Sequence, residues 1–356
     1  MQHALRLARR GLGQTWPNPS VGAAVVRDGA VVGTGATGRG GRPHAETEAL
    51  AMAGGKARGA TLYVTLEPCA HHGQTPPCTD AIIAAGIARV VAASTDPNPK
   101  VSGKGFAKLR AAGIPVEEGV CEQDARMVNE GFFSVITRAR PFVTLKTATS
   151  LDGKIATSRG ESRWITGEES RQMVHALRAS HDALLTGIGT VLADDPEFTC
   201  RLPGRKADSP QRVVLDSGLL IPPEAKLLPC WIFTSEKTLA SGHPKIATLK
   251  AKGASLFAVP LSGTHLSLPA VLAALAQQGV TRLMVETGGT LAGEMVRQNL
   301  VDRLYWFRAP LIIGENGMPA LRGQDSQPLA ALPRFTLRET ARLGDDVLEI
   351  YDCGVI

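Results

Sequence analysis

No run of about 18 apolar residues occurs in the 356-residue chain, so no membrane span is expected. The opening stretch, MQHALRLARRGLGQTWPNPSVG, is broken by charge too often to be a signal-peptide core. Cysteine is scarce and irregularly spaced, at Cys69, Cys78, Cys121, Cys200, Cys230 and Cys353. That spacing argues against a disulfide framework and suits a reducing compartment, taken here as the cytoplasm. The net charge is +6, yet there is no long basic run. Scattered Lys and Arg fit a basic surface serving a small phosphorylated molecule better than a nucleic-acid groove. Internal repeats and low-complexity segments are absent, and so is the G-x-G-x-x-G fingerprint of a standard dinucleotide-binding domain.

What remains is ordinary globular material, 44% apolar and 20% charged, in a length that suits two domains. The texture changes at Arg138-Ala139-Arg140-Pro141, which places the boundary between residues 1–140 and 141–356. In the first part, residues 2–12 have helical apolar spacing and 21–26 with 30–35 read as a hairpin. A helix is expected over 45–53, a strand over 60–65, a helix over 80–85 and a strand over 88–93. A short helix over 106–112, an edge element at Pro115-Val116 and a helix over 129–138 follow. Beyond the boundary, strand-like runs at 142–148, 183–188, 212–215, 231–234, 256–259, 283–286, 304–308 and 347–351 alternate with helices at 168–179, 268–277 and 290–298. Such alternation predicts an α/β domain with its sheet covered on both faces. The polar stretch from Gly323 to Gln327 reads as a surface loop.

The segment from Pro43 to Asp80 carries the chemistry. His44-x-Glu46 stands at an expected helix start, and Cys69 and Cys78 each follow a proline. One imidazole and two thiolates suit zinc and leave a fourth position for water, whose pKa zinc lowers to about 7. Glu46 would then be the proton shuttle. Two alternatives stand beside this reading. One is a satisfied core histidine with two small buried thiols; the other is a structural metal site completed by His71 or His72. His-x-Glu followed by Pro-Cys and Cys is the pattern of zinc nucleobase deaminases. Polynucleotide-editing members usually carry Pro-Cys-x-x-Cys, whereas here eight residues, AHHGQTPP, separate the cysteines.

In the second part, the strand Leu283-Met284-Val285-Glu286 runs into Thr287-Gly288-Gly289-Thr290 and a helix. Two glycines before a helix N-terminus let backbone approach a pyrophosphate. An ordinary glycine-containing turn would look the same.

The metal loop Glu67-Pro68-Cys69-Ala70-His71-His72-Gly73-Gln74-Thr75-Pro76-Pro77-Cys78 resembles that of the bifunctional riboflavin-biosynthesis enzymes. These join diaminohydroxyphosphoribosylaminopyrimidine deaminase to 5-amino-6-(5-phosphoribosylamino)uracil reductase. The resemblance extends to residues 15–22, 96–99, 146–154, 162–167 and 187–196, and so covers essentially the whole chain. Ala70 stands where the family commonly has serine, and Leu311 where it often has lysine.

The resemblance implies a cytidine-deaminase-like three-layer domain followed by a dihydrofolate-reductase-like α/β domain. It implies one zinc ion on His44, Cys69 and Cys78, with Glu46 as catalytic residue. Asn18 becomes a candidate for holding the pyrimidine, although an Asn-Pro turn alone would explain it. Ala148, Trp164, Thr190, Asp194, Ser217, Gly288, Gly289, Thr290, Leu291, Ala292, Gly293 and Glu294 would line an NADPH site. Ser162, Arg178, Phe198, Arg201 and Glu286 would face the substrate, with the two arginines suited to phosphate. Lys146 and Asp194 are candidates for acting in the reduction. The expected partner is a small phosphorylated pyrimidine, with no nucleic acid and no membrane, in a homo-oligomer (dimer or tetramer). The rival reading is a nucleic-acid-editing zinc deaminase with an accessory domain.

Overall fold

In a computed structural model the chain divides into two compact units, Met1–Arg140 and Pro141–Ile356. The structure describes residues 1–73, 75–99, 101–323 and 328–353. Gln74 of the metal loop, and the surface-loop expectation for Gln324–Gln327, lie outside them.

The first unit runs α1 (Gln2–Arg10), β1 (Gly22–Arg27), β2 (Ala30–Ala36), α2 (Ala45–Ala53), β3 (Thr61–Val64), α3 (Cys78–Ala84), β4 (Arg89–Ala92), α4 (Lys104–Ala111), β5 (Val116–Glu117), α5 (Glu122–Val128) and α6 (Glu130–Arg138). Its described strands form one sheet in the order β2-β1-β3-β4-β5. The β1–β2 and β1–β3 pairs are antiparallel; β3, β4 and β5 are parallel. Alternate residues Ala23 and Val25, Leu62 and Val64, and Val90 and Ala92 are buried in one core. From α2, Ala45, Ala49 and Ala53 pack into it at i, i+4 and i+8. The helix lies almost on the hairpin backbone. A Cβ added at Gly33 or Gly35 would fall 2.2 Å from the Ala49 carbonyl oxygen or 2.1 Å from that of Ala45. Small residues on both sides of this contact fix how deep the start of α2, and with it His44 and Glu46, sits above the sheet.

The second unit runs β6 (Phe142–Thr149), β7 (Lys154–Ala156), α7 (Glu168–Ala179), β8 (Ala183–Gly187), α8 (Ile188–Asp194), β9 (Gln211–Leu215), β10 (Trp231–Ser235), α9 (Glu236–Ala240), α10 (Lys245–Ala251) and β11 (Ser255–Val259). It continues with β12 (Leu261–Ser262), β13 (His265–Leu266), α11 (Leu268–Gln277), β14 (Arg282–Glu286), α12 (Gly289–Arg297), β15 (Arg303–Arg308), β16 (Met318–Pro319), β17 (Phe335–Leu343) and β18 (Asp346–Cys353). Its main sheet has the order β11-β10-β9-β8-β14-β6-β15-β18-β17. The strands from β11 to β15 are parallel, and the β18–β17 hairpin closes one edge antiparallel. The parallel strands read as apolar runs, such as Leu283-Met284-Val285 and Leu184-Leu185, because both faces are covered.

Most expected elements are present within a residue or two. Three differences have physical reasons. Cys78 is the first residue of α3 itself, two residues before the expected start. The α5 segment EQDARMV is a separate helix that the sequence reading passed over, since it buries only Ala125 and Val128. Strand β17, FTLRETARL, was also passed over; it is an edge strand exposed along most of its length, so it carries no apolar alternation.

Candidate active sites

Three chain segments meet to form the first site. His44 is the N-cap residue of α2, Cys69 lies on the loop after β3, and Cys78 opens α3. The His44 Nδ1 atom lies 3.2 Å from Cys78 Sγ and 3.8 Å from Cys69 Sγ. All three ligand atoms fall within 4.8 Å of one another. The Cys78 backbone N–H donates to Cys69 Sγ at 3.3 Å. A hydrogen bond from the Cys78 thiol draws Cys69 down to about 4, and the same bond pushes Cys78 up. One soft nitrogen and two sulfurs at this mutual distance fit a tetrahedral zinc ion. His71 and His72 are exposed and do not join the group among the described residues.

Glu46 sits in the first turn of α2 and is 4% exposed. Burial raises its carboxyl to about 6. It is therefore a buried acid beside three metal-type ligands, with a pKa close enough to neutrality to exchange protons. Asn18 lies half-buried, and its Nδ2 points at the Gly40 carbonyl at 3.5 Å.

Glu67 carries a role that motif reading did not reveal. Two residues before Cys69 and 4% exposed, its carboxylate accepts backbone N–H bonds from Asp96, Gly103, Gly105 and Phe106 at 2.8 to 3.4 Å. It ties the base of the metal loop to the 96–106 segment. The only sequence signal was an acid directly after an apolar strand.

The second site is a cavity of about 1510 Å³ in the second unit. It opens at the carboxyl ends of the parallel strands, where Lys146 and Ala148 of β6, Gly187 of β8, Leu215 of β9 and Glu286 of β14 reach its wall. Ala148, Trp164, Thr190, Asp194, Ser217, Gly288, Gly289, Thr290, Leu291 and Glu294 line it, as do Ser162, Arg178, Phe198, Arg201 and Glu286. Ala292 and Gly293 do not. Both are buried within α12, and a Cβ at Gly293 would strike the Arg322 carbonyl at 1.9 Å. Gly289 is similarly close to the Pro319 carbonyl, at 2.3 Å. Gly288 alone of the three has nothing within 4 Å of an added Cβ. The open Gly288 backbone and the start of the nine-residue α12 fit a dinucleotide phosphate.

At the cavity floor, Lys146 and Glu286 are register partners on neighbouring strands. Arg178 from α7 grips Glu286 with two bonds, Nε to Oε1 at 2.7 Å and Nη2 to Oε2 at 3.0 Å, and donates from Nη1 to the Thr199 carbonyl at 3.2 Å. Lys146 Nζ is 3.6 Å from Glu286 Oε2. Burial works against the Glu286 charge, but Arg178 and then Lys146 hold its pKa at about 2. Burial, with Arg178 adding to it, lowers Lys146. Two cations around one carboxylate leave net positive charge facing an anionic guest. Arg178 thus spends three of its five N–H groups on protein, and Arg201 is the less committed arginine. His175, one turn before Arg178 on α7, also lines the cavity; its Nδ1 lies 3.1 Å from the Thr199 carbonyl. Trp164, 69% exposed, has the Arg171 guanidinium 4.7 Å from its ring centroid.

An open three-ligand zinc site beside a buried acid, joined in one chain to an α/β unit with a dinucleotide-type cavity, defines a fused zinc hydrolase and nucleotide-dependent oxidoreductase. Residues 1–94 match the family model for the cytidine and deoxycytidylate deaminase zinc-binding region, and residues 141–348 match the RibD C-terminal domain. The riboflavin biosynthesis protein RibD of Aquifex aeolicus is 48% identical over 88% of this chain and 87% of its own length. That of Escherichia coli is 41% identical over 98% and 96%. Among solved structures, Acinetobacter baumannii RibD superposes with a TM-score of 0.90 at 37% identity, covering 99% of this chain and 98% of its own. A Thermotoga maritima diaminohydroxyphosphoribosylaminopyrimidine deaminase/5-amino-6-(5-phosphoribosylamino)uracil reductase gives 0.88 at 38%, covering 99% and 97%. The chain belongs to the RibD family of riboflavin biosynthesis, bifunctional deaminase–reductases that use zinc and NADPH.

Proposed function

We propose that residues 1–140 hydrolyse the 2-amino group of 2,5-diamino-6-(5-phosphoribosylamino)pyrimidin-4(3H)-one, and that residues 141–356 reduce the resulting 5-amino-6-(5-phosphoribosylamino)uracil to its ribitylamino product. The single observation that carries the first half is the buried Glu46 next to the His44, Cys69 and Cys78 ligand atoms. Zinc, when bound there, supplies the Lewis acidity that lets water ionise near neutral pH. Glu46 takes one proton from the water and gives it to the ring nitrogen, then takes the second from the hydroxyl added at C2 and gives it to the amino nitrogen, so that the carbonyl forms, the C–N bond breaks and ammonia leaves.

In the second unit, NADPH supplies the hydride when bound. Lys146 faces the cavity as an ammonium made more acidic by burial, suited to giving its proton to the sugar oxygen as the ribosyl ring opens at C1′. Glu286 keeps Lys146 and Arg178 in place, and Arg201, with the remaining donors of Arg178, suits the substrate phosphate.

The intended partner is this small pyrimidine phosphate, without nucleic acid, in a cytoplasmic homo-oligomer of two or four chains. Supporting the compartment, the six cysteines are all free; no described helix is long and apolar enough to cross a membrane. The test gives the full chain the diaminopyrimidine phosphate with and without NADPH and identifies products by mass. Deamination without NADPH and reduction only with it are expected. Absence of ammonia release without NADPH would sink the first assignment.

A further inference from the structure

Arg42 is a cation at the mouth of the first site that the chemistry above leaves unused. Its backbone is fixed in the turn preceding His44. There the Gly38 N–H donates to the Pro43 carbonyl at 2.9 Å, and a Cβ at Gly38 would lie 2.2 Å from the Arg42 carbonyl. Asn18 packs on the same turn: its Nδ2 falls 1.9 Å from where a Cβ of Gly41 would be. The Arg42 side chain crosses to the opposite wall, the metal loop, where Nη1 donates to Thr75 Oγ1 at 2.7 Å. Nη2 lies 3.9 Å from a Cβ built on Gly73.

Other cations of the unit are paired with carboxylates, Arg89 with Glu117, Lys108 with Asp80 and Arg110 with Glu118. Among the described residues, Arg42 has no carboxylate partner, only a hydroxyl. Its remaining four N–H groups form a fork whose geometry matches a phosphate monoester. Asn18 and Arg42 therefore share the turn that leads into His44, and Arg42 ties that turn to the metal loop at Thr75.

We propose that Arg42 binds the 5-phosphate of the deaminase substrate and sets the preference for phosphorylated over unphosphorylated pyrimidine. This rests on the deaminase reading above. Turning the guanidinium from Thr75 to a phosphate exchanges a neutral acceptor for a doubly charged one, so the bond is stronger with substrate than without it.

The test compares full-length wild type with Arg42→Gln and Arg42→Lys, measuring ammonia release from the diaminopyrimidine phosphate and from the same pyrimidine with a free 5′ hydroxyl. For Arg42→Gln, KM for the phosphate is expected to rise about 10- to 100-fold, from loss of one charge-assisted contact. Its kcat and zinc content are expected to stay near wild type, and the free-hydroxyl substrate to be unaffected. Arg42→Lys should recover part of the KM, because it keeps the charge without the fork. Ribose 5-phosphate should inhibit wild type competitively and Arg42→Gln more weakly. An unchanged KM and phosphate preference in Arg42→Gln would overturn the inference. So would a fall in kcat accompanied by zinc loss at unchanged KM, which would make Arg42 a support for His44. Wild type that releases no ammonia from either substrate would overturn the deaminase reading and this inference with it.

Discussion

Replacing Glu286 by Gln tests the electrostatics of the reductase cavity most directly. Gln keeps the volume but removes the charge, and it turns one acceptor oxygen into an N–H donor facing Arg178 and Lys146. The Glu286 carboxyl, ordinarily near 4.5, is held at about 2 in the folded chain. A depression of that size corresponds to about 3 kcal/mol of folding free energy at pH 7. Breaking one partner of a buried ion pair costs about 3–5 kcal/mol, an independent route to the same figure.

The sign follows from proton linkage. A carboxyl whose folded pKa is depressed contributes its stability above the unfolded value and loses it as pH falls towards the folded value. The gap between wild type and Glu286→Gln should therefore be full at pH 7, close as pH falls through 4.5, and be less than half as large by pH 3. Urea unfolding of both proteins at pH 7, 4.5 and 3, followed by tryptophan fluorescence, reads this out; Trp164, Trp231 and Trp306 all lie in the second unit. A gap below about 1 kcal/mol at pH 7, or one that does not change with pH, would refute the claim that Arg178 and Lys146 stabilise a charged Glu286.

Four further outcomes are expected. Glu46→Gln should retain zinc by metal analysis and lose ammonia release by about 10²- to 10⁴-fold, the usual worth of a general acid–base group; retained turnover would remove Glu46 from the mechanism. Cys78→Ser should lower zinc occupancy to a small fraction of wild type, because a hydroxyl cannot replace a thiolate. Gly289→Ala should destabilise the second unit by about 1–3 kcal/mol through the clash with Pro319, whereas Gly288→Ala should leave the melting temperature alone and raise KM for NADPH. Equal effects of the two alanines on stability would mean that the turn does not separate packing from ligand approach. Sedimentation velocity should give a dimer or tetramer, and a mainly monomeric profile at micromolar concentration would exclude that assembly.

How far the sequence could be read depended on whether a residue acts locally. His44, Cys69 and Cys78 were legible because metal chemistry restricts residue type and because each stands at the end of an element whose period is visible in the chain. Zinc nucleobase chemistry was read from that set together with Glu46 and the prolines before each cysteine. Glu67 was not legible as an organiser, since its four backbone donors come from residues 96 to 106, and nothing in the local pattern distinguishes a carboxylate facing in from one facing out. Arg178 and Glu286 were both expected to face the substrate. They line the cavity, but they are committed first to each other across 108 residues of chain, a pairing that periodicity cannot report. The run from Gly288 to Glu294 was expected to line the NADPH site throughout. Ala292 and Gly293 come one turn further along α12 than Gly288 and Gly289 and are buried there, Gly293 against the Arg322 carbonyl, so they do not reach the cavity. Strand β17 escaped notice because an edge strand exposed along its length has no buried face to impose alternation.

Glu46 and Glu286 show why a carboxylate's role cannot be read from residue type. Both are glutamates at least nine-tenths buried. Burial alone pushes a carboxyl up, and at Glu46 it prevails, giving about 6. At Glu286 the same burial is overcome by a guanidinium fork and an ammonium, giving about 2. The first group can change protonation state within ordinary cellular pH and so can carry protons. The second cannot. It is a fixed charge whose work is to hold two cations at the cavity wall. Loss of Arg178 would free Glu286 to titrate. An Arg178→Met variant should therefore raise the Glu286 pKa, and the pH dependence of reductase KM should acquire an acidic limb absent from wild type. A KM profile identical in shape to wild type would show that Lys146 alone suffices to keep Glu286 charged.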